Sequence, residues 1–92
     1  MKFVMVYMTA ANRSQALKIA HALVRERLVA CINLLGPISS VYWWKNRVAQ
    51  SRETVLVAKT RQNLVSHILT RVKSLHSYEC PCVVALPLLA GH

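Results

Sequence analysis

A chain of 92 residues is one domain's worth of polypeptide, and at that length folding buries only about 60% of the surface exposed by the unfolded chain. Twelve Lys and Arg against three Asp and Glu leave a formal charge of +9, which gives no paired carboxylates for acid–base chemistry and draws polyanions to the surface. The longest apolar run, Val83 to Ala90, is interrupted by Pro87 and falls far short of the ~20 residues that cross a bilayer, so no membrane span is expected.

From the N-terminus, Phe3 to Met8 is apolar at successive positions, the pattern of a central strand covered on both faces. With Met1-Lys2 before it and Thr9-Ala10-Ala11 after it the stretch faintly resembles a secretory leader, but its apolar run is at the short limit and a single positive charge precedes it, so a leader is not expected. Asn12, with Gln15 three positions on, forms a capping-box pattern. A helix is predicted from Arg13 to Arg27, with Leu17, Ala20, Val24 and Leu28 as its apolar stripe. Val29 to Leu35 and Ile38 to Trp44 read as one long strand bent at Gly36-Pro37. Lys45-Asn46-Arg47 is a polar turn, and Val48 to Lys59 returns as the partner of a hairpin, with Val55 and Val57 on one face and Leu56 and Ala58 on the other. Thr60 is the expected cap of a second helix, whose stripe is Val65, Ile68, Leu69, Val72 and Leu75 and which ends near His76. A fourth strand is expected over Cys80 to Leu88.

The order β-α-β-β-α-β predicts a single α+β domain over residues 1–92. It is the ferredoxin-like arrangement, a four-stranded antiparallel sheet with both helices on one face. The other sheet face is left open. Together with a 54% hydrophobic composition, that face and the long hairpin edges predict self-association.

The chemistry-bearing residues crowd between His76 and Cys82. His76, Cys80 and Cys82 have metal-ligand side chains, but Cys80-Pro81-Cys82 lacks the spacing and the second pair of a zinc site, which leaves soft copper as the metal to consider. Three cysteines cannot all pair, and free thiols fit a reducing, cytoplasmic setting. No nucleophile elbow, phosphate-binding glycine loop or Walker sequence is present, so an enzyme is not expected. RNA-recognition modules share this element order, but the third strand carries no aromatic for base stacking, and Tyr42, Trp43 and Trp44 gather instead at the hairpin tip; nucleic acid is therefore not the expected partner. Arg13, where an acid would normally stabilise a helix start, marks an expected anion site.

At Ala30-Cys31-Ile32-Asn33, Val41-Tyr42-Trp43-Trp44, Glu53 with Lys59-Thr60, and Leu75 to Pro81 followed by Ala85-Leu86-Pro87, the chain resembles the CutA divalent-cation tolerance family. The resemblance implies a homotrimer of ferredoxin-like subunits joined through their hairpins. It also implies association with copper and other divalent cations, no required cofactor and no catalytic reaction. By the same resemblance Cys31, Tyr42, Trp44, Lys59, Tyr78 and Glu79 fall around a cleft between subunits, together with His76. The chain departs from the family pattern where Met8 replaces a cysteine and Leu75 a histidine seen in copper-binding relatives, and where Cys82 replaces an acid. His76 then remains the main metal candidate, with Met8, Cys80 and Cys82 as soft-sulfur additions. The expected function is non-enzymatic divalent-cation tolerance or response. The alternatives are a trimer of the PII type that senses a small anionic metabolite and, behind it, a nucleic-acid-binding module.

Overall fold

The computed structural model describes residues 2–78 and 80–92. The elements follow the order β1 (Phe3–Ala10), α1 (Arg13–Arg25), β2 (Cys31–Trp44), β3 (Arg47–Arg61), a 3₁₀ turn (Gln62–Leu64), α2 (Val65–Leu75) and β4 (Val83–Pro87). The strands form one antiparallel sheet in the order β2-β3-β1-β4, the ferredoxin-like topology expected from the element order.

Alternation along β1 sets the two faces. Val4, Val6, Met8 and Ala10 point toward the helices and are buried, with Leu56 and Ala58 beside them on β3. The opposite positions differ from the expected burial on both sides: Phe3 is half-exposed, and Met5 and Tyr7 are only partly covered. Both helices pack on one face of this sheet, in a single core cluster, and leave the other uncovered. Val84 and Leu86 of β4, opposite Tyr7 and Met5, extend the uncovered apolar surface.

At the start of helix α1 the expected cap by Asn12 forms, but the return bond from Gln15 reaches one residue further back than a capping box places it, to Ala11. Asn12 Oδ1 accepts from the Gln15 N–H at 2.8 Å, and Gln15 Oε1 accepts from the Ala11 N–H at 3.3 Å. Its buried face is Ala16, Ile19, Ala20 and Leu23, whereas Leu17 and Val24 of the expected stripe are exposed. The stripe lies to one side of its expected position because small alanines let the helix sit close to the sheet. The helix ends at Arg25 with Arg27 in left-handed conformation, φ 59°, where the Arg27 N–H reaches the Val24 carbonyl and the Leu28 N–H the Leu23 carbonyl; this is a Schellman closure without the usual glycine.

Thr60 does not cap α2. It is a buried β3 residue whose hydroxyl donates to the Leu28 carbonyl at 2.6 Å, so it ties β3 to the end of the α1 connection. The 3₁₀ turn introduces α2 instead, with no side-chain cap. Ile68 and Val72 are the fully buried residues of α2, and Leu69 is exposed.

Candidate functional site

The bend expected at Gly36-Pro37 is a bulge. Leu35 pairs with Val55 and Ile38 with Glu53, so two residues of β2 face one of β3. Gly36 adopts φ 140°, and a Cβ there would lie 3.1 Å from the Glu53 carbonyl oxygen, which leaves room only for glycine. One extra residue in a period-two strand exchanges its faces. Cys31 and Leu35 before the bulge, and Tyr42 and Trp44 after it, consequently share the uncovered face with Glu53, Val57 and Lys59 of β3.

One end of that face is not open. Thr9, Glu53 and Val55 all belong to it by alternation, yet each is buried, with Glu53 only 7% exposed. Their cover comes from the connection after α2. The Tyr78 hydroxyl donates to Glu53 Oε2 at 3.0 Å. His76 Nε2 lies 2.7 Å from the Thr9 carbonyl, and the Tyr78 N–H donates to His76 Nδ1 at 3.0 Å. A carbonyl can only accept, so this arrangement selects the tautomer with hydrogen on Nε2. The His76 and Tyr78 rings also pack together, with centroids 4.5 Å apart.

Electrostatics follow from this burial. Tyr78 is pushed up to about 12, first by burial, then by its hydrogen bond to Glu53, then by the Glu53 charge and by neighbouring Tyr42. Cys82 is raised in the same direction by desolvation, then by Glu53 and Cys80, although the residue as a whole is exposed. Both groups are held in their protonated forms, so Cys82 is not set up as a thiolate nucleophile.

Of the other expected site residues, Tyr42 comes near enough for its hydroxyl to act on that of Tyr78, whereas Cys31, Lys59 and Trp44 lie apart. Cys31 and Lys59 are direct cross-strand partners, both exposed. Tyr42 donates to Ser51 Oγ at 3.1 Å, and Trp44 at the hairpin tip has the Lys45 ammonium 5.8 Å above its ring. Along β3, Lys59 and Glu53 are separated by about 20 Å, and Lys59 and Arg47, the partner of Trp44, by about 40 Å. One chain therefore cannot close these residues into a single cleft. Glu79 lies outside the described residues. Met8 is fully buried on the helix side, so its sulfur reaches no surface ligand unless the core opens. Both His76 nitrogens are engaged, Cys80 and Cys82 are exposed and unbridged, and among the described residues no three His, Cys, Asp or Glu side chains form a metal-binding group.

Glu53 is the centre of the network, and the sequence shows it only as one acid of a short motif. Its position in phase with Val55 and Val57 is the signal that places it on an apolar face. Arg13 lines a cavity with Arg52, Glu53 and the bulge. Helix α1 has no acid in its first turn.

Three comparisons bear on this architecture. The family model described as CutA1 divalent ion tolerance protein matches residues 4–92. The chloroplastic CutA protein of Arabidopsis thaliana is 40% identical over 96% of this chain and 48% of its own length, so the chain spans about half of that relative. The divalent cation tolerance protein Cut A1 of Thermus thermophilus superposes with a TM-score of 0.96 at 38% identity, covering 98% of this chain and 87% of the other. A solved structure described as the periplasmic divalent cation tolerance protein CutA of Archaeoglobus fulgidus gives 0.95 at 33% identity, with 98% and 87% covered.

Proposed function

The chain belongs to the CutA1 divalent ion tolerance protein family, and from that premise we propose that it is a non-enzymatic homotrimer acting in divalent-cation tolerance or response, with a cation or small ligand bound between subunits. The observation that carries this reading is the network of Thr9, His76, Tyr78 and Glu53, which pins a polar, ring-bearing segment onto an otherwise uncovered sheet face. Cys31, Lys59 and Trp44 are too far from it in one chain to act with it, and a second copy would supply the missing wall. Glu79 belongs to the same proposed cleft.

The described residues of a single chain do not fit a closed metal centre. Copper binding through His76, with Cys80, Cys82 or Met8, requires one ring nitrogen to give up its partner, Nδ1 the Tyr78 N–H or Nε2 the Thr9 carbonyl, and it is the part of the reading open to direct test. Isothermal titration with copper against wild type and His76→Ala is expected to give binding that the substitution removes. Equal binding by both chains assigns the metal elsewhere and rejects His76 as its ligand.

The surplus of cations favours a second reading, a PII-like trimer that senses a small anionic metabolite. Nucleotide or phosphate binding without a metal response would select it. Steeply salt-dependent RNA binding would overturn both in favour of the nucleic-acid reading. Among the described residues no helix is long and apolar enough to cross a membrane. Relatives are described as chloroplastic in Arabidopsis thaliana and periplasmic in Archaeoglobus fulgidus; for this chain, the unbridged cysteines support the reducing cytoplasm.

A further inference from the structure

The charges of this chain are unevenly placed in the fold. The two helices and the turn that closes α1, residues 13–27 and 65–75, carry Arg13, Lys18, Arg25, Arg27, Arg71 and Lys73 against a single acid, Glu26. That acid is already held by Arg71 at 2.9 Å, a pair that also ties the two helices side by side. The other five cations are exposed. On α1 the buried residues are Ala16, Ile19, Ala20 and Leu23, and at 3.6 residues per turn Lys18 and Arg25 project from the opposite side, in one row with Ser14 and His21. On α2, Lys73 projects away from buried Ile68 and Val72, beside Ser66 and Thr70. The exposed Leu17, Val24 and Leu69 stand at the edges of the buried stripes rather than in these outward rows. Neither helix contains Phe, Tyr or Trp.

We propose that the outward face of the two helices binds a linear chain of phosphate groups, inorganic polyphosphate, across Lys18, Arg25 and Lys73. Charge complementarity calls for a polyanion, and the other features of the face select among polyanions. An acidic protein partner would need an apolar or aromatic centre to its interface, which the outward rows lack. An anionic membrane would need apolar side chains aimed outward between the cations, whereas Leu17, Val24 and Leu69 are aimed sideways. Single-stranded RNA gains affinity by stacking its bases on aromatic rings, and these helices offer no Phe, Tyr or Trp. Duplex DNA is read by an element that enters a groove, but α1 and α2, about 20 and 17 Å long, lie flat on the sheet. Polyphosphate has no feature except its charge, and charge is what the face presents. The face lies on the side of the sheet away from Glu53 and the uncovered apolar surface, so binding there is separate from copper and from subunit association.

Titration calorimetry of the full chain with long-chain polyphosphate at several salt concentrations tests the assignment. Saturable binding is expected, weakening as salt rises with a logarithmic slope of about 0.7–0.9 per phosphate contact. Orthophosphate at the same phosphate concentration should bind at least about a hundredfold more weakly, because it engages one cation at a time. Lys18→Gln combined with Arg25→Gln should weaken polyphosphate binding at least about tenfold and lower the slope by about 1.4–1.8, the share of two contacts. Lys45→Gln combined with Arg47→Gln removes the same charge at the hairpin tip and should leave the slope unchanged. All four positions are exposed, and an unaltered far-ultraviolet dichroism spectrum checks that each variant keeps its fold. An equal loss in the two double variants would mean that net charge alone attracts the polymer, which overturns the assignment to the helices. Single-stranded RNA, or vesicles of phosphatidylserine and phosphatidylcholine in equal parts, binding as tightly as polyphosphate through Lys18 and Arg25 would overturn it in favour of a nucleic-acid or membrane partner. No saturable binding of polyphosphate overturns it outright.

Discussion

Tyr78 supplies the described hydroxyl donor to a carboxylate that has little water to turn to. Removing that hydroxyl leaves Glu53 buried with its negative charge less well solvated, and Tyr78→Phe should cost about 1–3 kcal/mol, read as a lower urea midpoint at unchanged slope. The same contact predicts a pH dependence. Tyr78 ionises near 10.0 when unperturbed and near 12 in the folded chain, so between those values the folded state keeps a proton that the unfolded state releases. Its contribution to stability is complete below pH 10 and is lost as pH rises through about 12. The difference in stability between wild type and Tyr78→Phe should therefore shrink across that interval; a constant difference would assign the cost to ring packing. The importance of Glu53 was poorly legible in the sequence because its partner is 25 residues away and only strand phase and the bulge bring the two together. His76 and Tyr78 could be picked out locally, since they stand in a short polar segment between a helix stripe and an apolar strand. What they bond to could not.

Periodicity located the elements more securely than it oriented them. In α1, Leu17 and Val24 form as regular a stripe as the buried residues do, and bulk alone favours them; the sheet instead receives Ala16, Ile19, Ala20 and Leu23, because close helix–sheet approach rewards small side chains. Thr60 likewise matches a cap by type, but its hydroxyl is taken by Leu28 across the fold. The bend at Gly36-Pro37 was legible from two residues that punctuate strands, whereas its effect of exchanging the faces of β2 required the register. This bulge gives an element-scale prediction. With φ at 140° and the Glu53 carbonyl 3.1 Å from any added Cβ, Gly36→Ala should destabilise by at least about 1 kcal/mol and disturb Tyr42 fluorescence or Trp44 near-ultraviolet dichroism. The end of α1 gives the opposite sign. Arg27 holds a left-handed conformation at φ 59° that costs an L-residue roughly 1–2 kcal/mol, and glycine returns part of this as unfolded-state entropy. Arg27→Gly should stabilise by about 0.5–1 kcal/mol, measured as a higher Tm, and a lower Tm would mean that the Arg27 side chain contributes more than its backbone strain costs.

At the scale of the whole molecule, the placement of exposed apolar groups is the leading fact. The longest dimension is 41 Å, set by a hairpin that runs beyond the helices. On that projection Val41, Trp43 and Val48 are exposed on one face and Tyr42 and Trp44 on the other. A ribbon uncovered on both faces is marginal in water, and Trp43 at 74% exposure has no role inside one chain. Phe3, Leu35, Val84 and Leu86 continue the apolar surface over the open sheet face. The net charge of +9 works against association, but it is carried on long side chains that can turn toward solvent, while the aromatic groups cannot leave the ribbon. Burial of the hairpin by neighbouring copies should outweigh charge repulsion at moderate salt. Light scattering is expected to give three times the 10.4 kDa of one chain, with little loss of mass on dilution. Trp44→Asp, half-exposed here and opposite Arg47, should favour monomers, because the new charge pairs with Arg47 in one chain but must be desolvated in the assembly. The far-ultraviolet dichroism of that variant should still show the sheet and both helices, since the core residues from Val4 to Val72 lie on the other face of the fold. A trimer that persists in Trp44→Asp would place the contact on the open sheet face rather than the hairpin tip, whereas a wild-type monomer would remove the inter-subunit cleft altogether.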